Sequence, residues 1–120
     1  MPLQTGSWTI NTSGNVGEVV ITGVDASGNL NGTLSIAGLP PAPTIGYWDE
    51  ITQEISFWAS IGLGGDIAMY TGHLFADSMR IGGISGAVVY TLAGTARLTS
   101  VLGGSARRHL FGWYAQIGVD

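Results

Sequence analysis

The side chains best suited to chemistry in this chain are aromatic. Trp8, Trp48, Trp58 and Trp113, with Tyr47, Tyr70, Tyr90 and Tyr114, combine large apolar faces with an N–H or O–H group. Such rings around a concavity hold a flat or apolar ligand while their polar tips orient it. Sugars stack on the same surfaces. The candidate ligand-binding residues on predicted strands are Trp48, Trp58, Tyr70, Thr71, Trp113 and Tyr114. The competing reading is that most of these rings fill a core or an interface.

Catalytic chemistry finds less support. Asp49, Glu50 and Glu54 bracket a predicted turn, whereas glycoside hydrolysis needs two carboxylates across a cleft. No Gly-x-Ser-x-Gly elbow or phosphate-binding P-loop occurs. The glycine pairs at 64–65, 82–83 and 103–104 precede no helix, so they are not phosphate cradles. The only histidines are His73 and His109 and there is no cysteine, a thin set for a metal. The expectation is a binding protein, not an enzyme, with no catalytic residue, cofactor or metal.

Composition narrows the partners. Charged residues make up 10% of the chain, against about 25% in an ordinary domain. The net charge is −4, with four arginines and no lysine. Binding of nucleic acid through its phosphates needs a basic face, so nucleic acid is not an expected partner. No apolar run of about 18 residues exists, so no transmembrane segment is expected. The opening Met1-Pro2-Leu3-Gln4 lacks the basic start of a signal peptide. This leaves the compartment open between a cytoplasmic protein and a secreted one lacking its leader. So few charges cannot coat a monomer well. A second copy of the chain is the simplest cover for the remaining apolar surface, although Ser, Thr, Asn and Gly can also coat it.

These side chains must be positioned by strands. Twenty glycines among many Thr, Ile and Val residues disfavour helices and favour extended chain. Eight strands are predicted, at 5–10, 17–24, 30–37, 44–49, 54–61, 67–76, 87–99 and 107–118, in one domain spanning 1–120. Leu30, Gly32, Leu34 and Ile36 alternate with Asn31, Thr33 and Ser35, the period of two that wets one face. The segment 25–29 reads as a hairpin turn. Residues 38–43 read as a stiff loop outside any ladder, since three of the six are proline. Residues 77–86 read as a longer connection and 100–106 as a loop. Connections this short suit antiparallel neighbours. Closure into an eight-stranded up-and-down barrel removes the edges that so few charges cannot guard. In such a barrel the connections 11–17, 38–43, 62–66 and 100–106 share one end, the preferred ligand entrance.

Several short motifs resemble the avidins. Gly6-Ser7-Trp8-Thr9 is similar to that family's opening, and Gly28-Asn29-Leu30-Asn31-Gly32-Thr33 to its third strand. Tyr70-Thr71-Gly72-His73-Leu74-Phe75 is similar to its sixth strand, and Leu110-Phe111-Gly112 to its eighth. The resemblance implies an eight-stranded barrel, ligand capture at one open end, and homodimers or homotetramers. The residues that hold biotin in the family are mostly not matched; the resemblance adds only Asn11 and Ser13, the polar residues after Trp8, to the candidate ligand-binding set. Leu34 stands where the family has a ligand-contacting Tyr, and Tyr114 where it has an Asp. The expected ligand is therefore a small apolar or aromatic molecule other than biotin.

The outer face of strands six to eight is the expected homo-oligomer interface, because these strands are apolar on both parities. Phe111, Trp113, Ala115 and Ile117 share one face of the last strand, and Leu110, Gly112 and Tyr114 the other. A glycan-binding lectin, or a structural protein whose oligomerisation is its role, are the alternatives.

Overall fold

The computed structural model describes the backbone of residues 2–36, 40–61, 66–81, 84–102 and 105–119. It describes the side chains within 2–36, 40–60, 67–75, 89–99 and 110–117. Eight strands follow one another as β1 (Gly6–Thr12), β2 (Asn15–Val24), β3 (Asn29–Ile36), β4 (Ala42–Asp49), β5 (Glu54–Ile61), β6 (Asp66–Ile81), β7 (Ile84–Leu102) and β8 (Ser105–Val119). Each pairs antiparallel with the next, and β1 pairs with β8 to close the barrel. The closing ladder is short, 9–12 against 113–116.

Local chemistry sets the turns. Ser13 and Gly14 have φ of 49° and 92°, the positive pair that a two-residue hairpin needs to follow strand twist. Asn11 Oδ1 accepts the Gly14 N–H at 2.9 Å. At the other end of β2, Asp25 Oδ1 accepts the N–H groups of Ser27 and Asn29, both at 2.9 Å. The Asn29 side chain and these amides hold the Asp25 carboxyl below its ordinary range. Gly28 is required there: its φ is 90°, and a Cβ would meet the Trp48 carbonyl.

Strand boundaries depart from expectation in four places. The connection expected at 11–17 is only Ser13 and Gly14, because Asn11 and Thr12 pair with Val16 and Asn15 and so extend β1 and β2. Residues 77–86 do not form a long connection, because β6 runs to Ile81 and β7 starts at Ile84. Residues 100–106 are not a loop, since β7 continues to Leu102 and β8 begins at Ser105. Once two strands are in register, each added pair satisfies two backbone groups, so the ladder extends until a turn is forced. Ala42 and Pro43 also belong to a ladder, opposite Leu34 and Thr33. Pairing with β5 begins only at Thr44, so Pro43 sits at a strand start with one side unpaired, where a missing N–H is tolerated. At about 3.3 Å per residue, the 19 residues of β7 outreach the 7 to 10 of β1 to β5.

Alternation places one face of every described strand inside. Trp8, Ile10, Val19, Ile21, Leu30, Leu34, Ile55, Phe57, Tyr70 and Leu92 are buried together. Phe111, Trp113, Ala115 and Ile117 pack inward, while Leu110 and Tyr114 are exposed. The interior is a packed core with rings at its centre, not an open tube.

Candidate functional site

The barrel end where β1 turns into β2 holds a cavity of about 240 Å³. Its described lining is Thr12, Ser13, Asn15, Ile36, Leu98 and Phe111, with Tyr70 beneath. Three of the wall residues end their strands at this mouth. Thr12 closes β1, Asn15 opens β2 and Ile36 ends β3. Leu98 and Phe111 lie nearer than the buried Ala96 and Trp113 to the end where β7 leads into β8. Ser13 is held over the rim by its N–H, which donates to the Gly112 carbonyl at 3.2 Å.

Apolar walls from Ile36, Leu98 and Phe111 surround one buried polar pair. The Thr12 and Tyr70 hydroxyls are 3.2 Å apart. Two hydroxyls offer two O–H donors, and the bond between them uses one. One donor and several lone pairs remain for a molecule in the cavity. No charged residue is in the described lining. The site therefore suits an uncharged molecule, apolar over most of its surface, with one hydrogen-bonding group. The volume equals about eight waters at the bulk share of ~30 Å³ each.

Burial pushes the Tyr70 phenol above its ordinary range, opposed only by the Thr12 hydrogen bond. The fold thus favours the neutral phenol. Its stabilising contribution is full below the unfolded value of about 10. It is lost as pH rises from there through the higher folded value. In urea melts between pH 9 and pH 11.5, wild type should lose stability more steeply than Tyr70→Phe. Parallel loss in the two proteins would remove this role of Tyr70.

The eight residues marked in the sequence do not form one group. Tyr70 and Ser13 line the mouth. Trp113 lies just below, with its ring edge-on to Tyr70 at 5.4 Å. Trp48 is buried at the opposite end, where its indole N–H donates to Glu50 Oε2 at 2.7 Å. Trp58, Thr71 and Tyr114 sit on the outer wall, their strand neighbours Phe57, Tyr70 and Trp113 having taken the inward positions. Asn11 also faces away from the core and braces its own turn. Thr12, Asn15, Ile36, Leu98 and Phe111 were not marked. Their signal was strand parity: Thr12 follows Trp8 and Ile10 at intervals of two, and Ile36 follows Leu34. Of the four connections expected at this entrance, 37–39, 62–65 and 103–104 lie outside the described residues.

A larger hollow of about 540 Å³ opens at the opposite end, between the turns at 25–28 and 49–51. Its carboxylates are engaged in those turns. Asp25 holds the first, and Asp49 Oδ1 accepts the Ile51 and Thr52 N–H groups at 2.9 and 3.2 Å. Its lining carries three carboxylates, the third being Glu50 on the Trp48 indole, whereas the mouth sets a buried hydroxyl pair among apolar walls with no charge in its described lining, so the smaller cavity is the better site for an uncharged molecule. The other ionisable candidates are separate from both. His73 Nε2 lies 3.5 Å from Glu54 on the outer wall, and the His109 side chain lies outside the described residues.

With this geometry in hand, comparison defines the fold. No family model matches the sequence, and no curated protein matches it. Solved structures do. Xenavidin superposes with a TM-score of 0.65 at 15% identity, covering 94% of this chain and 96% of that one. The rhizavidin–biotin complex gives 0.61 at 17% identity, covering 98% and 93%. The biotin-binding protein from chicken gives 0.62 at 14% identity, covering 94% of each chain. The chain is thus a closed eight-stranded antiparallel barrel with the avidin fold, as the sequence motifs implied.

Proposed function

We propose that this protein is a non-enzymatic binding barrel that takes a small uncharged molecule into the mouth cavity. The ligand is apolar over most of its surface and bonds the Thr12–Tyr70 hydroxyl pair through one polar group. The observation that carries this reading is that buried pair, with unused hydrogen-bonding capacity, beside the apolar walls of Ile36, Leu98 and Phe111 and with no charged residue in the described lining. The avidin fold adds support. Rhizavidin was solved with biotin and the chicken protein binds it, so this fold is suited to small-molecule capture.

Biotin itself is not the ligand proposed here. Leu34, at the position of the family's Tyr, is fully buried in the core. Tyr114, at the position of the family's Asp, is 47% exposed on the outer wall. The described cavity is also below the roughly 300–1,000 Å³ of sites for drug-sized ligands.

A thermal-shift panel followed by calorimetry tests the reading. Small neutral alcohols, phenols and amides form one arm, biotin a second and glycans a third. Stabilisation is expected in the first arm. Tyr70→Phe should weaken that binding about tenfold, the value of one buried hydrogen bond near 1.4 kcal/mol. Response to glycans alone would make the protein a lectin, and silence throughout would leave a structural role.

Homo-oligomerisation belongs to the same proposal. Ile45, Trp58, Met69, Arg97 and Leu110 are successive partners across β4 to β8, and all are exposed. This mainly apolar row extends the interface expected on strands six to eight onto β4 and β5. A second copy is its natural cover, since a two-fold contact sets such a row against itself. Sedimentation should show a dimer or tetramer at micromolar concentration, shifted towards monomer in Trp58→Glu. A monodisperse wild-type monomer would refute it.

A further inference from the structure

The mouth cavity ends at one ring. Tyr70 has no exposed surface, yet it forms the cavity floor. Its ring is parallel to Phe57, with centroids 4.7 Å apart and 5° between planes. It meets Trp113 edge-on at 5.4 Å and Phe111 edge-on at 6.5 Å. Immediately deeper on β6 and β7 stand Gly72 and Gly94, paired opposite each other. Neither contributes a side chain, so rings occupy the middle of the barrel there. Trp113 is pinned, because its N–H is shared by the Thr71 and Thr95 carbonyls at 3.1 and 3.0 Å. Tyr70 has a single polar tether, the bond to Thr12. Among these rings, Tyr70 is the removable partition between the mouth and the core.

We propose that Tyr70 is the depth stop of the cavity and a specificity-determining residue. Its ring confines a ligand to the shallow mouth and so sets the size class, while its hydroxyl supplies the polar contact. This rests on the mouth being the binding site, but the depth stop itself can be read with simple probes. Without the ring, the mouth joins the space bounded by Phe57, Trp113 and Phe111. That space is walled by rings and a closed barrel, and apolar cavities of this kind admit aromatic guests. The enlarged site takes a two-ring molecule that the natural floor excludes.

The experiment titrates wild type, Tyr70→Phe, Tyr70→Leu and Tyr70→Ala with phenol and with 2-naphthol by calorimetry, after circular dichroism confirms the fold. Wild type should prefer phenol. Tyr70→Phe keeps the ring, so it should keep that size preference while binding phenol more weakly. Tyr70→Ala should reverse the preference, with 2-naphthol affinity rising at least about tenfold as more apolar area is buried. Tyr70→Leu should fall between, and it decides the matter if the alanine variant does not fold. A naphthol-to-phenol affinity ratio unchanged across the folded variants overturns the depth stop and leaves the mouth reading intact. Binding of 2-naphthol by Tyr70→Ala, with neither probe bound by wild type, supports the depth stop and overturns the mouth reading. Silence in every variant overturns both.

Discussion

Trp113→Ala should lower the free energy of unfolding by about 3–5 kcal/mol, the range for truncating a fully packed large aromatic. Trp113 is 3% exposed. Its ring meets Phe57 and Tyr70 edge-on, with centroids 5.4 Å away in both cases. The neighbours cannot collapse into the space it leaves, because the positions alongside are Gly72 and Gly94 in the rigid wall. Its N–H also binds two carbonyls on β6 and β7. Trp113→Phe separates these contributions, since it keeps an aromatic ring and removes the donor. About 1–2 kcal/mol of the loss should remain in that variant. Urea denaturation reads both numbers as midpoint shifts at constant slope. The melting temperature of the alanine variant should fall by about 12–20 °C at this chain length. A loss under about 1 kcal/mol for alanine would mean that this ring is not part of the core, which typical cavity costs exclude.

The second large effect is expected from a single methyl group. Gly94→Ala should destabilise the barrel by about 3 kcal/mol or more, at or beyond the upper end of ordinary overpacking. An added Cβ would collide with the Thr71 carbonyl oxygen and lie 2.5 Å from the Gly72 Cα. Both obstacles are backbone, so no rotamer change relieves them. β6 and β7 must part at the place where Trp113 bridges their carbonyls, and the indole loses its anchor. Tryptophan emission should shift to the red as water reaches the ring. Gly112→Ala is the control. It lies across the ladder at Thr95, and its added Cβ would have only the Gly94 carbonyl oxygen near, at 4.0 Å. That variant should be neutral or stabilised by up to about 1 kcal/mol, through the unfolded chain's lost freedom. Equal effects at 94 and 112 would contradict the close approach of β6 and β7.

Particular residues show how far the sequence can be read. The alternation in 30–36 marked its strand, and short polar turns marked the antiparallel order. Trp58 shares its parity with Glu54, Ser56 and Ser60, so its outward position was legible although it was included in the site. Trp48 was legible too. Its inward direction follows from parity, and its place beside the last residue of the predicted strand 44–49 puts it at the end away from the entrance; what the prolines hid was the ladder of Ala42 and Pro43. The reach of β6 to β8 was hidden by glycines that read as loops, when only two residues separate each pair of strands.

By itself the sequence determined the class of fold, the inward face of most strands and the scarcity of charge. These are local properties, because the pleat sends successive side chains to opposite sides and turn residues act on their own backbone. Only the tertiary structure decided that Thr12, Ile36, Tyr70, Leu98 and Phe111 meet. They come from five strands, and their common level depends on the stagger of each ladder and on the 9–12 with 113–116 pairing that closes the ring. Stagger is set by how distant side chains pack around a closed circumference, and no short window of sequence contains that information.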